Sequence, residues 1–361
     1  MTTAPSYDPK SKKLWQVDFR GRDLTRLDLR SSLADILHAS FDSRTLWPPA
    51  DRMPEGFGLD RIVALGKNPG LGIRKLHARG ITGRGTAIGI IDQALLTEHQ
   101  EYADRLRFYE EVNVRPGTGA QMHGAAVASI AVGKTVGVAP DADLYYMGSW
   151  SRDLWRTEKR INFGYRAKCV RRLLQINQAL PRDRRIRAIS ISVGWSPSQD
   201  GYDDMTAAVK QAEAMGILVV RSCTLRTNGT MLMPLDRPPL LDPDDMASCR
   251  PAWYWADRFY SGKGYPDMGL LVPSGSRTTA SQGGADEYVF YGNGGCMSWA
   301  IPYIAGVYLL AAQVDPEITP ERFSSIAMKT GRTTYLKHDK KRIALRTIID
   351  PVALVNALQA K

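Results

Sequence analysis

Residues 86–91 read Thr-Ala-Ile-Gly-Ile-Ile, with no charge on either of the two faces that a strand alternates, and the run stops at Asp92. A strand apolar on both faces has to be covered on both faces, which excludes an open antiparallel sheet with one wet side. From about residue 61 onward, helical and extended patterns alternate around it, the order that builds a parallel sheet between two helical layers. Helices are expected over residues 71–79, 123–132, 163–179, 203–215, 298–313 and 319–329. Strands are expected over 86–91, 138–146, 188–193, 217–220 and 288–291.

Three residues stand where such a fold gathers chemistry. Asp92 closes the apolar strand, at the carboxyl edge where parallel sheets collect ligands and reacting groups. A carboxylate there costs desolvation unless a cation or donor meets it, and an imidazole that gains a proton during reaction is such a partner. Of five histidines, His123 alone is followed by small residues at helical spacing, Gly124, Ala125, Ala128 and Ser129, which lets a helix end pack against the crevice. It is the preferred general base, and His99, in a polar loop, is assigned a structural role. Ser298 opens an apolar helix whose first amides favour an oxyanion, so it is the candidate nucleophile. A turn aspartate and a capping serine are the ordinary readings of two of these residues. The order Asp, His, Ser, with 31 residues from Asp92 to His123, favours acyl transfer instead.

At 361 residues and 43% hydrophobic, the chain buries a large core, read as a main domain over 61–361 behind an N-terminal extension over 1–60. Residues 1–15 are polar and hold Lys10, Lys12 and Lys13 with no apolar stretch behind them, so a cytoplasmic location is expected. The longest apolar run, 300–314, is shorter than the roughly 20 residues that cross a bilayer, and no membrane partner is expected. Cys169, Cys223, Cys249 and Cys296 have no paired spacing and no nearby histidine pattern, so free thiols and no metal site are expected. A net charge of +11 raises nucleic-acid binding, with twelve Lys/Arg against three acids in residues 152–187. Val170, Leu173 and Leu174 at helical spacing put Arg166, Lys168, Arg171 and Arg172 on the solvated face of a surface helix. Without stacking aromatics or a known module, no nucleic-acid partner is expected. Gly83-x-Gly85-x-x-x-Gly89 precedes its strand, whereas a phosphate cradle follows one, so no nucleotide cofactor is expected.

Residues 16–48 carry a different pattern. Asp18-Phe19, Asp23-Leu24 and Asp28-Leu29 recur every five residues. This resembles pentapeptide repeats, in which a polar residue precedes a Leu or Phe stacked inside a square β-helix. It covers about three coils and implies a short appendage leaning on the main domain. An amphipathic segment with an accidental period stands beside that reading. Pro48, Pro49, Pro54, Gly56 and Gly58 read as a linker.

Segments spread across 61–361 resemble the subtilisin-like serine peptidases, the subtilases. His123-Gly124-Ala125-Ala126-Val127-Ala128 is similar to their HGTxVA, Gly137-Val138-Ala139-Pro140 to GVAP, and Ser190-Ile191-Ser192-Val193-Gly194 to the substrate-pairing SLG strand. Leu271-Val272-Pro273-Ser274-Gly275 is similar to the APG turn, and the nine residues from Ser298 to Gly306 to SMAxPHVAG. The resemblance implies a subtilisin-like three-layer α/β fold, with a mostly parallel central sheet and helices on both faces. It implies a serine endopeptidase with Asp92, His123 and Ser298 as its triad, and a polypeptide substrate laid beside Ser192, Val193 and Gly194. No cofactor is implied.

The departures from the family pattern are specific. Its DTG is Asp92-Gln93-Ala94 here, its GTS is Cys296-Met297-Ser298, and its AAGN is replaced by Arg221-Ser222-Cys223-Thr224-Leu225. Losing the asparagine donor of an oxyanion hole costs about 10²- to 10³-fold in rate. Thr224, Asn228 and the amide of Ser298 are the candidate substitutes. The same departures support a second reading, a catalytically weak or inactive subtilase-fold protein that binds peptides or regulates. A tight turn over 133–137 replaces the loop that secreted relatives use for calcium, so no strong calcium dependence is expected from that place.

Overall fold

The computed structural model describes residues 3–151, 160–221, 231–262, 269–292 and 296–360. Five parallel strands make the central sheet: β1 (Ala87–Asp92), β2 (Leu106–Val112), β3 (Asp143–Ser149), β4 (Ile186–Ile191) and β5 (Leu218–Arg221). Their spatial order is β2-β3-β1-β4-β5. The alternation in β1 divides its side chains between two cores. Ile88 and Ile90 join helices α1 (Met122–Val132) and α4 (Cys296–Val314), while Ala87 and Ile91 join α2 (Gly164–Ala179) and α3 (Tyr202–Ala214). Each buried isoleucine contributes about 1.5–3 kcal/mol, and a charge in its place would lose that and be stranded away from water. The fold is therefore α/β, a parallel sheet with helices on both faces. Residues 297–314 of α4 are long and apolar enough to cross a membrane, yet 78% of them is buried in this core.

Two places depart from the periodic reading for clear reasons. The strand expected over 138–146 starts only at Asp143, because the amides of Val138 and Ala139 bond back to Ile130 and Ala131 of α1 at 3.0 and 2.8 Å. A second, mixed sheet orders Arg332–His338, Lys341–Ile348, Gly269–Pro273, Met231–Asp236 and Arg250–Pro251. The hairpin between its first two strands turns through Asp339 and Lys340, both at positive φ (48° and 62°), without the glycine that marks such turns in sequence.

The basic helix α2 also needs a correction. Lys168 is exposed, Arg171 pairs with Asp204 and Arg172 reaches Glu110 at 2.9 Å, but Arg166 is only 6% exposed. It lies inside the protein and not on the solvated face.

The five-residue period at the N-terminus has a structural cause. Phe19, Leu24 and Leu29 are buried, and their amides donate to Ser40, Leu46 and Arg52 carbonyls, each at 2.8 Å, so 17–29 and 40–52 run as parallel rungs. Each preceding aspartate accepts from the amide two residues on: Asp18 from Arg20, Asp23 from Thr25, Asp28 from Arg30. That is a turn repeated every fifth residue. The segment read as a linker is packed here, with Met53, Phe57 and Leu59 against this small core. Phe41–Asp42 pairs antiparallel with Tyr288–Tyr291, which ties the extension to the main domain.

The turn over 133–137 is closed by a carboxylate. Glu101, buried, accepts from the amides of Thr135 and Val136 at 2.8 and 3.3 Å and from the hydroxyls of Thr135 and Tyr288, both at 2.5 Å. His99 Nδ1 accepts from the Glu101 amide, leaving Nε2 to donate to Glu287 O at 2.8 Å. Among the described residues no group of three His, Cys, Asp or Glu is arranged to hold a metal ion. We expect Glu101→Gln, which turns an amide against buried N–H donors, to cost about 2–4 kcal/mol and lower the melting temperature by several degrees. A calcium chelator is expected to leave the wild-type melting curve unmoved.

Candidate active site

Asp92 is the last residue of β1, and its register partner on β3 is Gly148. Its Oδ1 accepts from His123 Nδ1 at 2.7 Å and from the Gln93 amide at 2.8 Å. The acid's side chain is 4% exposed and the imidazole 22%, so one partner is sealed and the other reaches the crevice. His123 comes from the first turn of α1. The helix approaches this closely because of Gly124: a Cβ there would meet Tyr146 Oη at 2.6 Å and Gln93 O at 2.7 Å. The Tyr146 hydroxyl in turn donates to Gln93 O at 2.6 Å, fixing the chain just after the acid.

Ser298 is the third residue of α4, which begins two residues before the start expected from sequence. Pro302 stands four residues on and has no N–H, so the Ser298 carbonyl lacks its helical donor. The hydroxyl of Ser192, just past β4, fills that vacancy at 3.0 Å. The proline thus joins two candidate segments that sequence reading treats separately. Val193 and Gly194 follow at the same edge, half-buried, with the Val193 amide donating to Ile191 O at 2.7 Å. α4 seats against the 138–139 segment through Gly306, whose Cβ would meet Val138 at 2.7 Å. Thr224 and Asn228 lie outside the described residues.

Several residues of this site were not found by sequence reasoning. Trp299, the neighbour of Ser298, brings its ring to 5.1 Å from the His123 imidazole and 5.5 Å from Tyr291. Arg20 of the N-terminal extension lies over Tyr291 at 5.5 Å and over Trp15 at 4.6 Å. The extension therefore reaches the back of the aromatic wall beside the imidazole. No spacing rule links residue 20 to residue 123, so no local signal existed.

Burial works against charge on Asp92, but His123, Arg166 and the Gln93 amide outweigh it and hold the carboxyl below the ordinary carboxylate range. A group depressed in the folded state contributes stability that is present above its unfolded value, near about 4, and is lost as pH falls through the lower folded value. The gap in melting temperature between wild type and Asp92→Asn is expected to narrow as pH falls below about 4. A gap that stays constant on acidification would show that the carboxylate charge is not what matters.

Known proteins resemble this chain in two ways. Residues 83–233 match a family described as the Subtilase family, a stretch that holds Asp92, His123 and Ser192 and ends before Ser298. The subtilisin-like protease PopC of Myxococcus xanthus (strain DK1622) is 35% identical over 85 residues, which is 20% of this chain and only 18% of that protein. The solved structure of the prenylagaramide maturation protease PagA covers 80% of this chain and 99% of its own at a TM-score of 0.54 and 14% identity, a likeness of fold. Residues 83–233 thus carry the sequence pattern of the Subtilase family, and the parallel sheet built around them has the fold of a solved maturation protease.

Proposed function

We propose that this chain is a serine endopeptidase that cleaves polypeptides through an acyl-enzyme. The observation that carries the reading is the 2.7 Å Asp92–His123 bond at the carboxyl edge of the sheet, against which the helix of Ser298 is held. With Nδ1–H donated to Asp92, Nε2 is left to take the proton of the Ser298 hydroxyl as its oxygen attacks a peptide carbonyl. His123 then passes that proton to the departing amine, and water repeats the sequence on the acyl-enzyme. The tetrahedral oxyanion falls to the amide of Ser298 and to Thr224 or Asn228. Substrate lies extended beside Ser192, Val193 and Gly194, bonding through its main chain as an added strand. The reading includes a reducing, cytoplasmic setting, supported by the buried free thiols Cys169 and Cys249.

A second reading, a peptide-binding subtilase fold with little turnover, draws on Gln93, Ala94 and Cys296 in the family's catalytic motifs. It also draws on Arg221, whose guanidinium stacks on Trp195 at 4.7 Å where relatives carry small residues. A fluorophosphonate probe separates the two. Wild type is expected to label and Ser298→Ala not to; equal, poor labelling of both, under conditions that label a control peptidase, removes the enzyme reading. The hydrolysis rate is expected to rise between about pH 5 and about pH 8, because a protonated imidazole is no base. A flat rate over that span would remove His123 from the role.

A further inference from the structure

Arg166 lies in the first turn of α2, on the opposite face of the sheet from α1 and α4. Its side chain turns inward to the end of β3, where Nη2 makes only a long contact, 3.5 Å, to the carbonyl of Ser149. Ser149 follows Gly148, the residue level with Asp92. Nε and Nη1 are buried with no hydrogen-bond partner among the described residues. An arginine this buried normally has its fork filled by a carboxylate or by carbonyls, because desolvating the cation costs several kcal/mol. Burial lowers the guanidinium's pKa, and Asp92 is the foremost charge that opposes this.

We propose that Arg166 is a positioning residue for the Asp92–His123 pair, a sealed positive charge behind the carboxylate that keeps Asp92 an acceptor for the His123 ring. The proposal rests on the reading of His123 as general base, and it adds a third charge to that pair from outside the motifs. The other groups around the pair do not compete. Tyr146 on β3 and Tyr109 on β2 are kept neutral by burial, as is Cys169 on α2, whose thiol burial pushes up to about 11. Glu111 takes the Tyr109 hydroxyl, and Glu110 is paired with Arg172. A unit charge several ångströms away through a partly polar interior moves a titration by about one pH unit.

The test replaces Arg166 with Met, which keeps bulk and removes charge, and with Lys, which keeps charge. Two readouts are followed: the acid limb of the peptidase rate, and the His123 imidazole titration by NMR, assigned by its loss in His123→Ala. Arg166→Met is expected to move both midpoints up by about one pH unit, and Arg166→Lys to leave them near wild type. A merely structural arginine would lower stability or the rate plateau and leave the midpoints in place, and that result overturns the proposal. The NMR readout needs no turnover, so a failed peptidase reading and a failed role for Arg166 are told apart. Should Arg166→Met not fold, the counter-charge is tested from the other side. Asp92→Asn strands a buried cation and is expected to melt several degrees below His123→Ala; equal melting temperatures overturn the proposal.

Discussion

A carboxylate has to stay charged at the end of a strand that is otherwise sealed from water, and much of the site is arranged around that requirement. Asp92 is 3% exposed, and an ion in such a place costs several kcal/mol unless donors and an opposite charge meet it. The Gln93 amide and the His123 ring meet it directly on Oδ1. Arg166 adds charge from the other helical layer. A neutral residue at 92 would remove the need for all three, and the imidazole would lose the bond that sets its tautomer.

Two helices are brought to that carboxylate by missing atoms. Gly124 lacks the Cβ that would strike Tyr146 and the Gln93 carbonyl, so α1 delivers His123 within bonding distance. Pro302 lacks the N–H that would bond Ser298 O, so the Ser192 hydroxyl reaches across and holds the start of α4 to the end of β4. The aromatic wall then couples the site outward. Trp299 touches both His123 and Tyr291, and Arg20 lies on the far side of Tyr291. The N-terminal extension, docked through Phe41–Asp42 on Tyr288–Tyr291, is thus physically continuous with the crevice beside His123.

Where a signal is local, sequence reading located it well. The strand 288–291 and the helix beginning near residue 123 sit where periodicity puts them, and Thr319 caps its helix by accepting from Arg322 N at 3.2 Å. The five-residue period was legible, but the pairing of Phe19 with Ser40 and Leu24 with Leu46 was not, because it depends on which rungs stack. The Asp339-Lys340 hairpin was missed because its positive φ angles fall on residues that do not advertise them.

By itself the sequence determined the layered α/β class, since a strand apolar on both faces must be covered twice, and it determined which acid, imidazole and hydroxyl stand at element ends. Only the tertiary structure decided which charges are buried. Arg166 has the spacing of a surface residue, yet its helix begins over the sheet edge and its side chain turns inward, while Lys168 two residues on stays in water. Glu101, to which no motif or spacing points, is likewise buried and becomes the internal anchor of the 133–137 turn. Periodicity is a property of neighbours along the chain, whereas the desolvation of a charge depends on everything packed around it in space.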